Sequence, residues 1–170
     1  DTNTYETVIT NDFLFSSNQD VNNKGWVSNY NIFLKNPSSY SSNSSNFKEN
    51  ESYDLFSTLK LDSSLPLSKQ VKSYTHFLRP IVSLRYSPNG NSDISSKDVM
   101  LNFNNVFNLN RIGTTYEVEG GESLSLGLEF QRKNNIKNNL INFKVANVIK
   151  PESNPNLPNK SKLNQTRSDI

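Results

Sequence analysis

The sequence has no cysteine and only one histidine among its 170 residues. Without cysteine the chain has no disulfide framework, no thiolate nucleophile and no cysteine-based zinc site. His76 cannot complete a metal site alone, because no carboxylates at metal-ligand spacing accompany it. The sequence therefore predicts no metal site and no bound cofactor.

Long apolar runs are also missing. Hydrophobic residues make up 33% of the chain, the mean hydropathy is −0.68, and Asn and Ser together supply roughly a third of the residues. No run reaches the roughly 18 apolar residues that a membrane-spanning helix needs. The ten Phe and seven Tyr nevertheless argue against disorder, since disordered chains are poor in aromatics. This composition favours an ordered β protein.

Charge of one sign is not concentrated anywhere in the chain. The 18 basic and 16 acidic residues are scattered, and the formal net charge is +2. Nucleic-acid binding needs a clustered basic face, so nucleic acid is not an expected partner. The start, DTNTYETV, has no charged segment followed by an apolar one, and no closing element ends the chain, so we expect an internal fragment of a longer protein.

Alternating polarity is the strongest positive signal. From Ser123 to Gln131 every second residue is apolar, which places the apolar residues on one face of a strand and the polar ones on the other. Similar alternation elsewhere predicts six strands, near 5–15, 25–35, 51–62, 69–87, 122–131 and 139–150. Ile9, Phe13 and Phe15 form the apolar set of the first strand.

The predicted connections alternate between long and short, as they do in outer-membrane barrels. We therefore predict an all-β fold, an antiparallel transmembrane β-barrel of which residues 1–170 supply about six strands. The 88–121 segment is predicted to be a long, folded extracellular loop, which could carry a short hairpin. Four aromatic residues near strand ends would suit an interfacial girdle: Trp26, Tyr53, Tyr74 and Tyr86.

Candidate chemistry is sparse. Glu117, Glu119 and Glu122 cluster, but nothing places them across a pocket, so no catalytic residue is predicted; a hydrolase using Glu119 and Glu129 is the alternative of that class. Three charged residues fall on polar strand faces and would line a barrel lumen, where a basic wall could attract an anionic substrate: Arg79, Arg85 and Glu129. These three are the candidate substrate-binding residues.

Two segments carry a family resemblance. LRPIVSLRYSPNG, followed by NVFNLNRIGTTYEVEGGESLSLGLEF, resembles the barrel domain of the LptD (OstA) family of lipopolysaccharide-assembly proteins, especially its α-proteobacterial branch. The family pattern comprises a Tyr-x-Pro strand end, an Asn-Arg-x-x-Gly step, an acidic Gly turn and a Leu-x-Leu-Gly-Leu strand. It falls on Tyr86, Pro88, Asn110, Arg111, Gly120, Gly121, Leu124, Leu126, Gly127 and Leu128.

The resemblance implies a function and a set of partners. Its members receive lipopolysaccharide from periplasmic Lpt bridge proteins and insert it into the outer leaflet, with an LptE-like lipoprotein plug inside the barrel and outer-membrane lipid around it. No bond is made or broken, so the expectation is a non-enzymatic integral protein of the Gram-negative outer membrane. The N-terminal periplasmic jelly-roll domain and the closing strands of the family are absent from the sequence.

Two other readings of the same pattern stay open. A porin or substrate-specific channel would share the barrel architecture but conduct solutes. A soluble β-sandwich, such as a carbohydrate-binding module, would bury the apolar faces between two sheets.

Overall fold

The computed structural model describes residues 3–45, 49–88, 93–136, 140–160 and 162–170. Within these ranges the chain is all-β and contains no helix, and so none that could span a membrane. Ten strands form: β1 Tyr5–Ser16, β2 Asp20–Val21, β3 Val27–Ser42, β4 Asn50–Tyr53, β5 Phe56–Ser64, β6 Leu67–Val71, β7 Tyr74–Ser87, β8 Gly121–Asn134, β9 Leu140–Ile149 and β10 Arg167–Asp169.

All ten strands belong to one antiparallel sheet. Its order is β1-β3-β5-β7-β8-β9-β10, with β2 and β4 also paired to β3, and β6 paired to β7. The sheet is open, so the predicted all-β antiparallel architecture is confirmed. A single sheet also differs from the two packed sheets of the sandwich alternative.

The connections are sorted between the two ends of the sheet. Residues 17–26, 65–73 and 135–139 link strands at one end, which we call the short-turn edge. Residues 43–55 and 88–120 link strands at the other end, the long-loop edge, where the segment after β9 also lies. The predicted alternation of long and short connections therefore corresponds to two different edges of the sheet.

Two predicted strands are interrupted, and a proline explains each break. The strand predicted over 51–62 splits into β4 and β5 opposite Pro37, and the strand predicted over 69–87 splits into β6 and β7, with β5 giving way to β6 opposite Pro80. Proline has no N–H to donate, so a neighbouring strand cannot continue its ladder past it. Lys72 has a positive φ of 51° at the turn between β6 and β7.

Other strand boundaries differ from the prediction. β3 runs to Ser42 instead of ending near residue 35, because β1 pairs with it along its whole length beyond that point. β9 is found at Leu140–Ile149, and residue 139 of the predicted range lies outside the described residues.

The 88–121 segment has no hairpin in its described residues, 88 and 93–120, so that suggestion was wrong. Asn102 instead closes local turns: its Oδ1 accepts from the backbone N of Asn104 at 2.8 Å, and its carbonyl accepts from the N of Val106 at 3.0 Å. Asparagine side chains compete in this way with strand ladders.

The small hydrophobic core lies on one side of the sheet, not between two sheets. It joins the 93–120 segment, β9 and the segment that follows β9. Its buried members are Ile94, Leu101, Val106, Ile112, Ala146, Val148, Leu157 and Leu163. The two long segments therefore pack together over the same half of the sheet.

Candidate functional site

The two faces of the sheet are inverted relative to a soluble protein. The apolar face is exposed: Val145 and Ile149 of β9 are both 41% exposed, and the same face continues through the neighbouring strands. The opposite face is polar and buried, with Ser125 at 3% and Glu129 at 5% exposure. We call these the outward face and the inner face.

The outward face forms a continuous apolar surface from β1 to β9. Its residues are paired in register across the strands, since directly opposite residues of an antiparallel pair lie on the same face. The exposed members include Ile9, Phe13, Phe15, Ile32, Leu34, Leu59, Leu61, Leu78, Leu84, Leu126, Leu128, Ile141, Phe143 and Val145. A surface of this extent normally marks contact with lipid or a partner.

The inner face is covered at the long-loop edge by residues 93–120. Phe107 lies against Gly127 of β8, where an added Cβ would overlap the phenyl ring. Lys35 of β3 donates from Nζ to the carbonyl of Thr115 at 2.7 Å and pairs with Asp12 at 2.8 Å. The segment is therefore fixed to the wall of the sheet over several strands.

Four charged residues fix this segment in place, and we call them the anchor cluster: Arg85, Arg111, Glu119 and Lys150. Arg111 holds Glu119 in a bidentate pair, with Nε to Oε2 and Nη2 to Oε1 both at 2.8 Å. Lys150 Nζ lies 2.8 Å from Glu119 Oε1, and Arg85 donates to the Glu119 carbonyl. One buried carboxylate thus serves three cations.

The anchor cluster also satisfies its cations through neighbours on the wall. Arg111 donates to the Oγ atoms of Ser123 and Ser125 on β8, at 2.7 and 3.1 Å. Arg85 Nε donates to the carbonyl of Leu109 at 2.9 Å, and Lys150 Nζ to that of Leu163 at 2.6 Å. β7, β8 and the end of β9 are therefore tied to one loop.

Glu119 is fully ionised in this setting. Burial alone would raise the pKa of its carboxyl, but the charges of Arg111, Arg85 and Lys150 outweigh burial. They hold the pKa of Glu119 far below its ordinary value. Glu119 therefore acts as a permanent counter-ion, which does not suit a general acid.

The Asn-Arg-x-x-Gly motif builds the loop that carries Arg111. Asn110 Oδ1 accepts from the backbone N of Gly113 at 3.2 Å, and its Nδ2 donates to the carbonyl of Thr114 at 3.1 Å. Gly113 has a φ of 67°, which glycine adopts without strain, and Gly121 has 91° where β8 begins. The motif therefore shapes the turn that directs Arg111 to Glu119.

A second charged group lies lower on the inner face. Arg79 and Glu129 face each other across β7 and β8, with Nη2 to Oε2 at 2.7 Å. Lys144 Nζ and Gln131 Nε2 reach Glu129 Oε1 at 3.1 and 2.9 Å. A groove of about 570 Å³, towards the short-turn edge, is lined in part by Arg79, Glu129, Gln131 and Lys133.

The structure places all three candidate substrate-binding residues on the inner face but in two different settings. Arg79 and Glu129 border the open groove, whereas Arg85 is 5% exposed beneath the loop. Glu119 and Glu129, the carboxylates of the hydrolase alternative, are held by separate sets of cations. They are not brought together as a catalytic pair.

The remaining motif residues divide between the two faces. Leu124, Leu126 and Leu128 point outward, as does Tyr86 at the long-loop edge, and Gly127 faces inward beneath Phe107. Pro88 follows the end of β7. His76 lies on the outward face, its ring 6.2 Å from that of Phe130.

Sequence reasoning missed two lysines. Lys144 is opposite Glu129 in the register, and the alternation of residues 141–145 already placed it on the polar face, so that signal was present. Lys150 reaches the anchor cluster only because the 93–120 segment folds back over the sheet. No local pattern in the sequence indicates that fold.

Replacing Gly127 with Ala tests the contact with the loop. Glycine to alanine in a strand normally stabilises by about 0.5–1 kcal/mol. Here we expect a loss of about 1–3 kcal/mol, because the new Cβ overlaps Phe107. The check is the unfolding midpoint of the protein in detergent.

The double variant Phe107→Ala/Gly127→Ala provides the control for this prediction. It should lose less stability than the sum of the two single variants, because the overlap has been removed. Strict additivity would show that the loop does not press on Gly127.

An open antiparallel sheet with an exposed apolar face, and a polar face filled by its own loops, defines an all-β protein of the inverted, membrane-facing kind. Residues 4–170 match the family model described as LptD: LPS transport system D. The chain therefore belongs to the LptD family, a lipopolysaccharide transport family of the outer membrane. A search of the curated proteins found no match.

Proposed function

We propose that this sheet is part of a closed transmembrane β-barrel that inserts lipopolysaccharide into the outer leaflet of the outer membrane. The observation that carries the proposal is the inversion of the two faces. An apolar surface in lipid and a polar interior satisfy both solvents, and closure leaves no unpaired strand edge in the hydrocarbon.

The dimensions of the outward face support this proposal. Tyr74 and Tyr86 face outward at opposite ends of β7. Twelve residue steps cover about 40 Å along the strand, or about 30 Å of membrane normal at a typical barrel tilt. Trp26 lies near the short-turn edge with Tyr74, and Tyr40 lies near the long-loop edge with Tyr86, as two interfacial girdles would require.

The orientation follows the same rule as in other barrels. Long loops lie outside the cell and short turns in the periplasm, so residues 88–121 form an extracellular loop folded into the barrel mouth. Arg79 and Glu129 line the open part of the interior, where an anionic substrate or an LptE-like plug would contact them. Periplasmic Lpt bridge proteins would deliver lipopolysaccharide at the short-turn edge.

The family match favours lipopolysaccharide transport over a porin, and the single sheet favours a membrane barrel over a soluble sandwich. Within the LptD family, the finer activity is the transfer of a large anionic amphiphile without bond chemistry. The polar inner face and the apolar outward face supply the two environments such a molecule needs.

Depletion of the protein in its own cells tests the function. Newly made lipopolysaccharide should disappear from the cell surface, as measured by surface labelling, while permeability to small solutes stays constant. Lower solute uptake with normal surface lipopolysaccharide would favour a channel. Recovery of the protein in the soluble fraction without detergent would overturn the membrane reading altogether.

A further inference from the structure

Three cationic or imidazole side chains lie side by side on the outward face, next to the short-turn edge. Lys69 of β6 pairs with His76 of β7, and His76 pairs with Arg132 of β8. Directly opposite residues share a face, so the three form one row across three strands. We call Lys69, His76 and Arg132 the basic row.

The basic row adjoins the apolar surface directly. One outward position further along the strands stand Leu67, Leu78 and Phe130, which are paired with one another in the same order. The next outward residue on β9 is Phe143, opposite Phe130 and 57% exposed. Cations and hydrocarbon contacts are therefore within the reach of one amphiphilic molecule.

Arg132 is held for binding and is not neutralised. Its guanidinium lies 4.0 Å from the centre of the Tyr74 ring, and its buried Nε has no hydrogen-bond partner in the part of the chain that the structure describes. Stacking on an aromatic ring fixes the guanidinium plane while leaving its N–H edges able to donate to an oxyanion.

Acidic residues are absent from the surroundings of the basic row. At the described outward positions of β6, β7, β8 and β9, the one carboxylate is Glu122, which pairs with Tyr86 at the opposite, long-loop edge. The outward face therefore has positive charge at one edge of its apolar surface and none at the other. A negatively charged headgroup matches this arrangement.

We infer that the basic row binds the headgroup of an anionic phospholipid, with the acyl chains lying along the apolar surface beside it. The inference rests on the proposed function, because it places this edge of the sheet at a membrane interface. A free phosphate ion would use the cations alone, whereas the adjoining Leu67, Leu78 and Phe130 provide a reason for a lipid. Each Lys or Arg near an anionic lipid surface contributes about fivefold in affinity.

The experiment uses the protein extracted from its membrane in a non-ionic detergent. Phosphatidylglycerol or phosphatidylcholine with identical acyl chains is added, and bound lipids are counted by native mass spectrometry. The wild type should prefer phosphatidylglycerol about tenfold or more. The double variant Lys69→Gln/Arg132→Gln should bind phosphatidylglycerol about 20-fold more weakly.

Lys133→Gln is the matched control. Lys133 follows Arg132 on the same strand and points to the inner face, so the charge change is the same but the face differs. It should keep the wild-type preference. Equal loss in Lys133→Gln, or no loss in the double variant, would overturn the inference.

Further readings keep the result interpretable. Displacement of the lipid by inorganic phosphate alone would overturn the lipid assignment in favour of a soluble anion. Heat-modifiable mobility reports whether the double variant is folded, and Lys69→Gln alone replaces it if it is not. A membrane-embedded protein without the preference refutes this inference only, whereas a protein found outside the membrane refutes the proposed function.

Discussion

Glu119→Gln should lower the free energy of unfolding by about 3–5 kcal/mol. Glu119 is 1% exposed and is the shared partner of Arg111, Lys150 and, through its carbonyl, Arg85. Glutamine keeps the size but removes the negative charge, which leaves buried cations without their counter-ion. The measurement is urea or thermal unfolding in detergent, followed by heat-modifiable mobility.

Glu122→Gln is the matched control for this prediction. Glu122 is exposed at the same turn and should change stability by no more than about 0.5 kcal/mol. If the two variants lost the same amount, the anchor cluster would not stabilise the fold.

The pH dependence of the Glu119 effect has a definite sign. The pKa of Glu119 is lowered in the folded state from an ordinary value of 4.5. Its stabilisation is therefore complete above about pH 4.5 and is lost as the pH falls from there towards the folded pKa. The difference in unfolding free energy between wild type and Glu119→Gln should stay constant from neutral pH to near that point and shrink below it.

Val145→Arg should cost about 2–4 kcal/mol of folding free energy, because it places a charge at the centre of the lipid-facing band. Val145 is opposite Leu128, which is opposite Pro80, midway between Tyr74 and Tyr86. The measurement is the equilibrium between the urea-unfolded chain and the chain folded into phospholipid vesicles.

Ile149→Arg makes this prediction specific to a membrane. Ile149 lies on the same strand and face and has the same 41% exposure as Val145, but it is near the long-loop edge. It should cost only about 0–1 kcal/mol, since the penalty falls towards the interface. A face in water would tolerate both changes within about 0.5 kcal/mol, and that outcome would refute the barrel.

Alternation of side chains predicted most of the sheet, because the period-two pattern depends only on neighbouring residues. The pattern of β8 placed Leu126 outward and Ser125 inward, and the structure confirms both. It did not reveal the breaks at Pro37 and Pro80. Those breaks appear on the neighbouring strands, and local sequence does not say which strand will be the neighbour.

The charged sites were predictable to different degrees. Arg79 and Glu129 were placed on one polar face by strand alternation, and their register brings them opposite each other. The anchor cluster was not predictable as a unit. Arg85, Arg111 and Lys150 meet at Glu119 only because a loop of low local regularity folds back onto the sheet.

The cover over the inner face has a consequence for conductance. Polar walls in barrels usually surround a column of water through which ions pass. Here the 93–120 segment and the segment after β9 occupy that space at the long-loop edge with packed apolar and ion-paired side chains. A barrel built on this sheet would have a wettable wall but little open cross-section, so a large amphiphile could be handled without a leak of small ions.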